Sequence, residues 1–102
     1  MLLITSDKID KKYEILGICE GNVVTSKHIG KDFMSSLKTI VGGELKAYTE
    51  MMSEARNIAK KRMIEEAESI GADAVIAVRY ASSAIVQGSS EIIVYGTAIK
   101  FK

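Results

Sequence analysis

The sequence contains one cysteine, one histidine, no proline and no tryptophan among its 102 residues. A single cysteine excludes an intramolecular disulfide and a zinc site that needs two or four cysteines within one chain. The 14 Lys and Arg residues barely exceed the 13 Asp and Glu residues, which leaves a formal net charge of +1. Because binding to phosphates requires a surplus of basic residues, we expect no nucleic-acid partner.

Long apolar runs are also absent from the sequence. No stretch approaches the roughly 18 apolar residues that a membrane-spanning helix requires. Residues 1–7 lack the positive region and the extended apolar core of a signal peptide, so we expect a cytoplasmic protein with no membrane partner. Hydrophobic residues at 47% and charged residues at 26% are typical of a folded globular protein. The length fits one domain, residues 1–102.

Alternating apolar positions predict strands over residues 13–24, 73–81 and 91–101, with a short strand at 2–5. Two glycines, Gly17 and Gly21, interrupt the first of these strands. A glycine within a strand indicates a bulge or a close approach of another backbone, although Gly21-Asn22 would also suit a turn. Residues 82–90 are polar and predict a loop, so that the last two strands form a hairpin.

Helical periodicity marks two segments. Residues 31–41 carry apolar side chains at helical spacing, and Gly42-Gly43 ends this short helix. Residues 44–70 predict a long helix, because their apolar positions recur at steps of three or four. Those positions are Leu45, Tyr48, Met52, Ala55, Ala59, Met63, Ala67 and Ile70. Gly71 stands where a glycine commonly ends a helix.

Both faces of the last two strands are apolar. The alternation predicts Ile76, Val78 and Tyr80 on one face, with Val75, Ala77, Arg79 and Ala81 on the other. One long helix covers only one face of a small sheet, so a second copy of the chain is the simplest cover for the other. The alternative is a monomer in which the short helix folds under the sheet.

Several motifs, in order along the chain, resemble the YbjQ-like family of small uncharacterised prokaryotic proteins. They are Val41-Gly42-Gly43-Glu44, Tyr48, Ala55-Arg56, Arg62-Met63, Gly71-Ala72-Asp73-Ala74-Val75, Val78-Arg79 and Tyr95-Gly96-Thr97-Ala98. The resemblance covers essentially the whole chain, and Ala77 departs from it where a glycine is expected.

The resemblance implies an α+β fold in which an antiparallel sheet packs on one long helix plus a short helix. It also implies a homopentameric ring, and it carries the family's label of heavy-metal binding. A heavy-metal ion is therefore the cofactor that the resemblance suggests.

Cys19 and His28 are the candidate metal ligands. They are nine residues apart, which places them on opposite faces of a continuous strand, whereas a turn at Gly21-Asn22 would bring them together. Two ligands still fall short of the four that structural zinc takes. The alternative is that Cys19 is a small buried apolar residue and His28 an ordinary loop residue.

The glycines before the long helix are the second candidate site. Free N–H groups at a helix N-terminus attract anions, and Gly42, Gly43 and Glu44, with Tyr48 and Arg79, are the candidate ligand-binding residues. The alternative for the glycines is a helix cap or a close subunit contact.

No set of residues indicates catalysis. Ser35-Ser36-Leu37-Lys38 contains a Ser-x-x-Lys pattern but lacks the other elements of the enzymes that use it. We therefore predict no catalytic residues and a non-enzymatic homo-oligomeric module that binds heavy-metal ions. The alternative is a module that binds a small organic ligand, or acts structurally, at subunit interfaces near Gly43, Tyr48 and Arg79.

Overall fold

The computed structural model describes residues 1–26, 46–86 and 89–102, and these residues form four strands and one helix. In chain order they are β1 (Leu2–Leu3), β2 (Tyr13–Ser26), α1 (Lys46–Ser69), β3 (Ala74–Val86) and β4 (Ser89–Phe101). The strands form one sheet in the order β1-β3-β4-β2. Helix α1 packs on β2 and β4, on the side that we call the helix face; the opposite side is the outer face.

The α+β class is confirmed, but the prediction of a wholly antiparallel sheet is wrong. Strands β2, β3 and β4 pair antiparallel, whereas β1 pairs parallel to β3, with Leu2 opposite Ala74 and Leu3 opposite Val75. A parallel pair needs a long crossover connection, and the chain between β1 and β3 supplies one because it contains both β2 and α1. The predicted short helix at 31–41 lies outside the described residues.

Small side chains line the buried face of α1. Ala55, Ala59, Met63 and Ala67 repeat at every fourth position and are buried against the sheet. The helix ends as predicted at Gly71, which has a φ of 82° and donates its N–H to the Glu68 carbonyl oxygen at 3.0 Å. Three alanines in this stripe allow the helix to lie close to the strands beneath it.

The two glycines of β2 have the two roles that the sequence predicted. A register shift at Ile15/Gly17 marks a bulge opposite β4. At Gly21 the helix backbone comes so close that an added Cβ would overlap the Ala59 carbonyl oxygen and the Met63 nitrogen. The alternative turn at Gly21-Asn22 does not form, because β2 is continuous through both residues.

The hairpin of β3 and β4 is confirmed and is longer than predicted. Residues 82–90 were expected to form a loop, but Ser82 pairs with Ile92 and Ala84 with Ser90. That part of the prediction is wrong because backbone pairing needs no apolar side chain. Ser82, Ser83 and Ala84 are exposed, so this extension lacks the alternation by which a half-buried strand is recognised.

A second bulge, at Ala77, changes which side chains of β3 share a face. The register shifts between Ile76 and Arg79, and Ala77 has a φ of 53°. Val75 and Val78 consequently both pack in the core beneath α1, whereas Ile76 packs in a smaller cluster with Ala74 and Ile99. The faces predicted for β3 are therefore wrong, because the extra residue interrupts the two-residue period.

Replacing Ala77 by glycine is expected to stabilise the protein by about 0.5–1 kcal/mol. A residue with a Cβ pays about 1–2 kcal/mol in the left-handed region, and glycine avoids that cost while losing roughly 0.5–1 kcal/mol of backbone entropy. Urea unfolding would measure the change. Ala81→Gly, in the same strand but without a positive φ, is the control and should destabilise by about 0.5–1 kcal/mol. Equal losses in both variants would contradict the prediction.

Candidate functional site

Cys19 lies in the core between β2 and α1 and has no exposed surface. Its thiol donates to the Gly96 carbonyl oxygen at 3.8 Å, in the strand next to it. Among residues 1–26, 46–86 and 89–102, no three His, Cys, Asp or Glu side chains are grouped to hold a metal ion. His28 lies outside the described residues. The described surroundings of Cys19 therefore do not fit a heavy-metal site, and the Cys19–His28 pairing remains a prediction.

Burial raises the pKa of the Cys19 thiol, and the negative charge of Glu66 raises that pKa further. The thiolate, which is the form that binds metals and reacts with electrophiles, is thus disfavoured in the folded protein. Packing and electrostatics agree that Cys19 behaves as a small apolar side chain in this protomer.

The raised pKa predicts that stability declines in alkaline solution. An unfolded cysteine ionises near pH 8.5, whereas the folded Cys19 stays neutral to higher pH. The contribution of the neutral Cys19 thiol to the free energy of unfolding is therefore complete below about pH 8.5. It is lost as the pH rises from there towards the folded pKa, by at most about 1.4 kcal/mol per pH unit. Urea unfolding of the protein and of Cys19→Ala between pH 7 and 10 would measure the difference. Parallel curves for the two proteins would contradict the prediction.

Arg79 is the one predicted ligand-binding residue whose side chain the structure describes. It lies opposite Tyr95 on the outer face, and its Nη1 donates to the Thr5 carbonyl oxygen at 2.8 Å. Its Nη2 lies 3.6 Å from Asp7 Oδ1, in an exposed ion pair. Arg79 thus holds the N-terminal segment against β3, and half of its side chain remains accessible.

The structure does not describe whether the other predicted ligand-binding residues lie beside Arg79. Tyr48 lies in the first turn of α1, and its side chain is outside the described part of the molecule. Gly42, Gly43 and Glu44 lie outside the described residues. The site near Gly43, Tyr48 and Arg79 therefore stays a prediction.

The outer face of the sheet presents an exposed and mainly apolar surface, which we call the outer patch. It consists of Ile15, Ile18 and Tyr95, with the half-buried Thr97 between them. Ile18 is 78% exposed and Ile15 66% exposed, although both belong to the long strand β2. Ile18 lies directly opposite Thr97, and Tyr95 lies two residues before Thr97 in β4, on the same face. Contiguous apolar surface of this kind marks an interaction site more often than isolated exposed residues do.

The helix face contains a groove that the sequence analysis missed. It consists of two hollows that share Tyr80 as a wall, and we call it the basic groove. The first hollow, about 260 Å³, is lined by Leu3, Ile4, Thr5, Lys60, Val78 and Tyr80. The second, about 140 Å³, is lined by Met52, Arg56, Tyr80, Ala81, Ser82 and Ile92.

The basic groove forms because α1 packs mainly on β2 and β4. The helix covers Val75 and Val78 of β3 but leaves Tyr80 exposed beside it. The feature of the sequence that could have indicated this groove is the spacing of Arg56 and Lys60, which places two basic side chains one helical turn apart on α1. The bulge at Ala77 concealed the groove, since Tyr80 was expected on the face of Ile76 and not on the face of Val75.

Among the described residues, no helix combines the length and the apolar character needed to cross a bilayer.

Comparison with known proteins places the sequence in one family. The family model YbjQ_1, whose description reads "Putative heavy-metal-binding", matches residues 1–102. A UPF0145 protein of Clostridium novyi is 60% identical over 101 residues, with 98% of each chain covered. A UPF0145 protein of Thermosipho melanesiensis is 59% identical over 102 residues, which is 98% of this chain and 94% of that protein.

One solved structure supports the fold independently. It is a crystal structure of a protein of unknown function, from the DUF74 family, of Pediococcus pentosaceus. The two chains superpose with a TM-score of 0.71 over 100% of this chain and 98% of that one. At 19% identity this likeness concerns the fold alone.

Proposed function

This chain belongs to the YbjQ_1 family, and from that premise we propose that it is a cytoplasmic, non-enzymatic, homopentameric binding module. The outer patch is the observation that carries the proposal. The N-terminal segment covers part of the outer face, where Ile76 and Ile99 are buried, but it leaves Ile15 and Ile18 exposed. A further copy of the chain is the simplest cover for this exposed part. The number of five subunits rests on the family resemblance.

The sheet edges favour a cyclic assembly. Within the described part of the chain, β2 is an edge strand along its whole length, and β3 has no backbone partner on one side beyond Val78. These two edges lie on opposite sides of the sheet. A contact that joins two different surfaces of identical subunits produces a ring when the rotation closes.

The family description suggests a heavy-metal ion as the ligand. The described residues give it little support, because Cys19 is enclosed in the core and its pKa is raised. The described residues of one protomer also group no three His, Cys, Asp or Glu side chains that would hold a metal ion. An organic ligand is the alternative, and the basic groove supports it with cationic and aromatic side chains on an accessible surface.

Native mass spectrometry of untagged protein, before and after mild chelation, tests this proposal. We expect the mass of five chains in both samples. Monomers at micromolar concentration would contradict the proposed assembly. An integral mass excess that chelation removes would identify a metal ligand and direct substitutions to Cys19 and His28, whereas a mass that resists chelation would indicate an organic one.

A further inference from the structure

We propose that the basic groove binds a small planar organic anion, with the anionic group held between Lys60 and Arg56 and the flat part packed on Tyr80. This inference rests on the proposed binding function and names the ligand class and the site. It moves the ligand site away from the glycines before α1 and away from the buried Cys19.

The charge of the basic groove points to an anion. Lys60 and Arg56 lie one turn apart on α1, one in each hollow, and among the described residues no carboxylate lines either hollow. Within that part of the chain, the side chain of Lys60 has no hydrogen bond or ion pair, and the side chain of Arg56 donates only to Ser53 Oγ, at 3.0 Å. Two cations without acidic partners remain available to a carboxylate or a phosphate, the groups that they bind most strongly.

The contrast with a third hollow shows that this charge is local. That hollow, about 410 Å³, lies between β2 and the N-terminal half of α1, and Glu50 and Glu54 line it beside Met51 and Ile58. The same helix thus borders an acidic hollow near its start and the basic groove one to two turns later. An anion is expected to bind in the basic groove and not in the acidic hollow. The acidic hollow therefore serves as a control within the same protein.

The shape of the basic groove favours a flat ligand of one ring. Tyr80 is 49% exposed and borders both hollows. An exposed aromatic side chain offers a face on which a planar group packs. A closed apolar cavity of about 150 Å³ holds benzene, so the larger hollow accommodates one ring, and Leu3 and Val78 supply apolar walls.

Three probes of nearly equal shape distinguish the effect of ligand charge from the effect of ligand shape. They are benzoate, benzamide and benzamidine, which are anionic, neutral and cationic. Titration of the isotope-labelled protein, followed through its backbone amide NMR signals, gives a dissociation constant and a location for each probe. We expect benzoate to bind about tenfold more tightly than benzamide, since a charge-assisted contact is worth about that factor. We expect its largest shifts at residues 3–5 and 78–82.

Matched variants test the individual residues. Lys60→Met keeps the apolar stem and is expected to weaken benzoate binding about tenfold, whereas Lys61→Met, its exposed neighbour, should leave it unchanged. Tyr80→Leu should weaken the binding of all three probes several-fold, because it removes the aromatic face on which they pack. Inorganic phosphate at equal concentration distinguishes a preference for phosphate from a preference for an aromatic carboxylate.

Equal affinities for the three probes, shifts centred on Glu50 and Glu54, or equal effects of Lys60→Met and Lys61→Met would overturn the proposal. Native mass spectrometry of the same samples distinguishes a failure of the groove proposal from a failure of the proposed assembly. Pentamers that bind none of the probes would refute the groove alone. Monomers that bind benzoate through Lys60 would refute the assembly alone.

Discussion

Replacing Gly21 by alanine is expected to lower the free energy of unfolding by about 3 kcal/mol or more. The added methyl group would overlap the Ala59 carbonyl oxygen and the Met63 nitrogen, which belong to the backbone of α1. A backbone cannot rotate away as a side chain does, so the helix must move off the sheet, and the packing of the buried Met63 and Cys19 is lost. A domain of this size has about 5–15 kcal/mol of stability in total, so the loss is a large fraction of it.

A second glycine provides the comparison for this result. At Gly96 an added Cβ would lie 2.6 Å from Val75 Cγ1, an atom of a side chain, and 2.9 Å from the backbone carbonyl oxygen of Ile76. Gly96→Ala should therefore be partly rescued by Val75→Ala, whereas no trimmed side chain should rescue Gly21→Ala. Urea unfolding of the single and double variants measures both effects. A loss below about 1 kcal/mol for Gly21→Ala would show that α1 does not lie this close to β2.

Ile18→Lys is expected to separate the assembled protein into folded monomers. Ile18 is 78% exposed in the protomer, so the substitution should change the stability of the monomer little. Burial of an isoleucine between subunits contributes about 1.5–3 kcal/mol, and an unpaired lysine in its place adds a desolvation cost. The combined effect should weaken self-association at least a hundredfold.

The control is Ile70→Lys, the same exchange at a residue that is 45% exposed near the C-terminal end of α1. It should leave the assembly intact, because it lies away from the outer face. Light scattering during gel filtration gives the mass, and circular dichroism shows whether each variant is folded. Folded Ile18→Lys protein with the mass of the parent assembly would exclude the outer patch as the subunit contact.

Local signals predicted much of this fold. The four-residue spacing of Ala55, Ala59, Met63 and Ala67 predicted the buried face of α1, and Gly71 predicted its end. These features depend only on neighbours along the chain. The parallel pairing of β1 with β3 joins distant segments, and two residues carry no pattern that reveals the direction of their partner.

The candidate site was less accessible to prediction because it depends on one backbone conformation. A glycine at position 77 would have indicated a bulge, but alanine occupies the left-handed conformation there and gives no such indication. Without the bulge, Tyr80 is grouped with Ile76 and not with Val75, so its position beside Lys60 is not predicted. The burial of Cys19 was among the alternatives that its residue type suggested, yet only the fold shows that α1 covers it.

The parallel pairing of β1 also has a consequence for the order in which the chain folds. Strands β3 and β4 are neighbours along the chain, so their hairpin closes a short loop and can form early. Leu2 and Leu3 reach their partners Ala74 and Val75 only after most of the chain has been brought together, which carries a larger loop-closure entropy. The N-terminal strand is thus expected to dock late, onto a sheet that already exists, and Arg79 then secures it through the Thr5 carbonyl and Asp7.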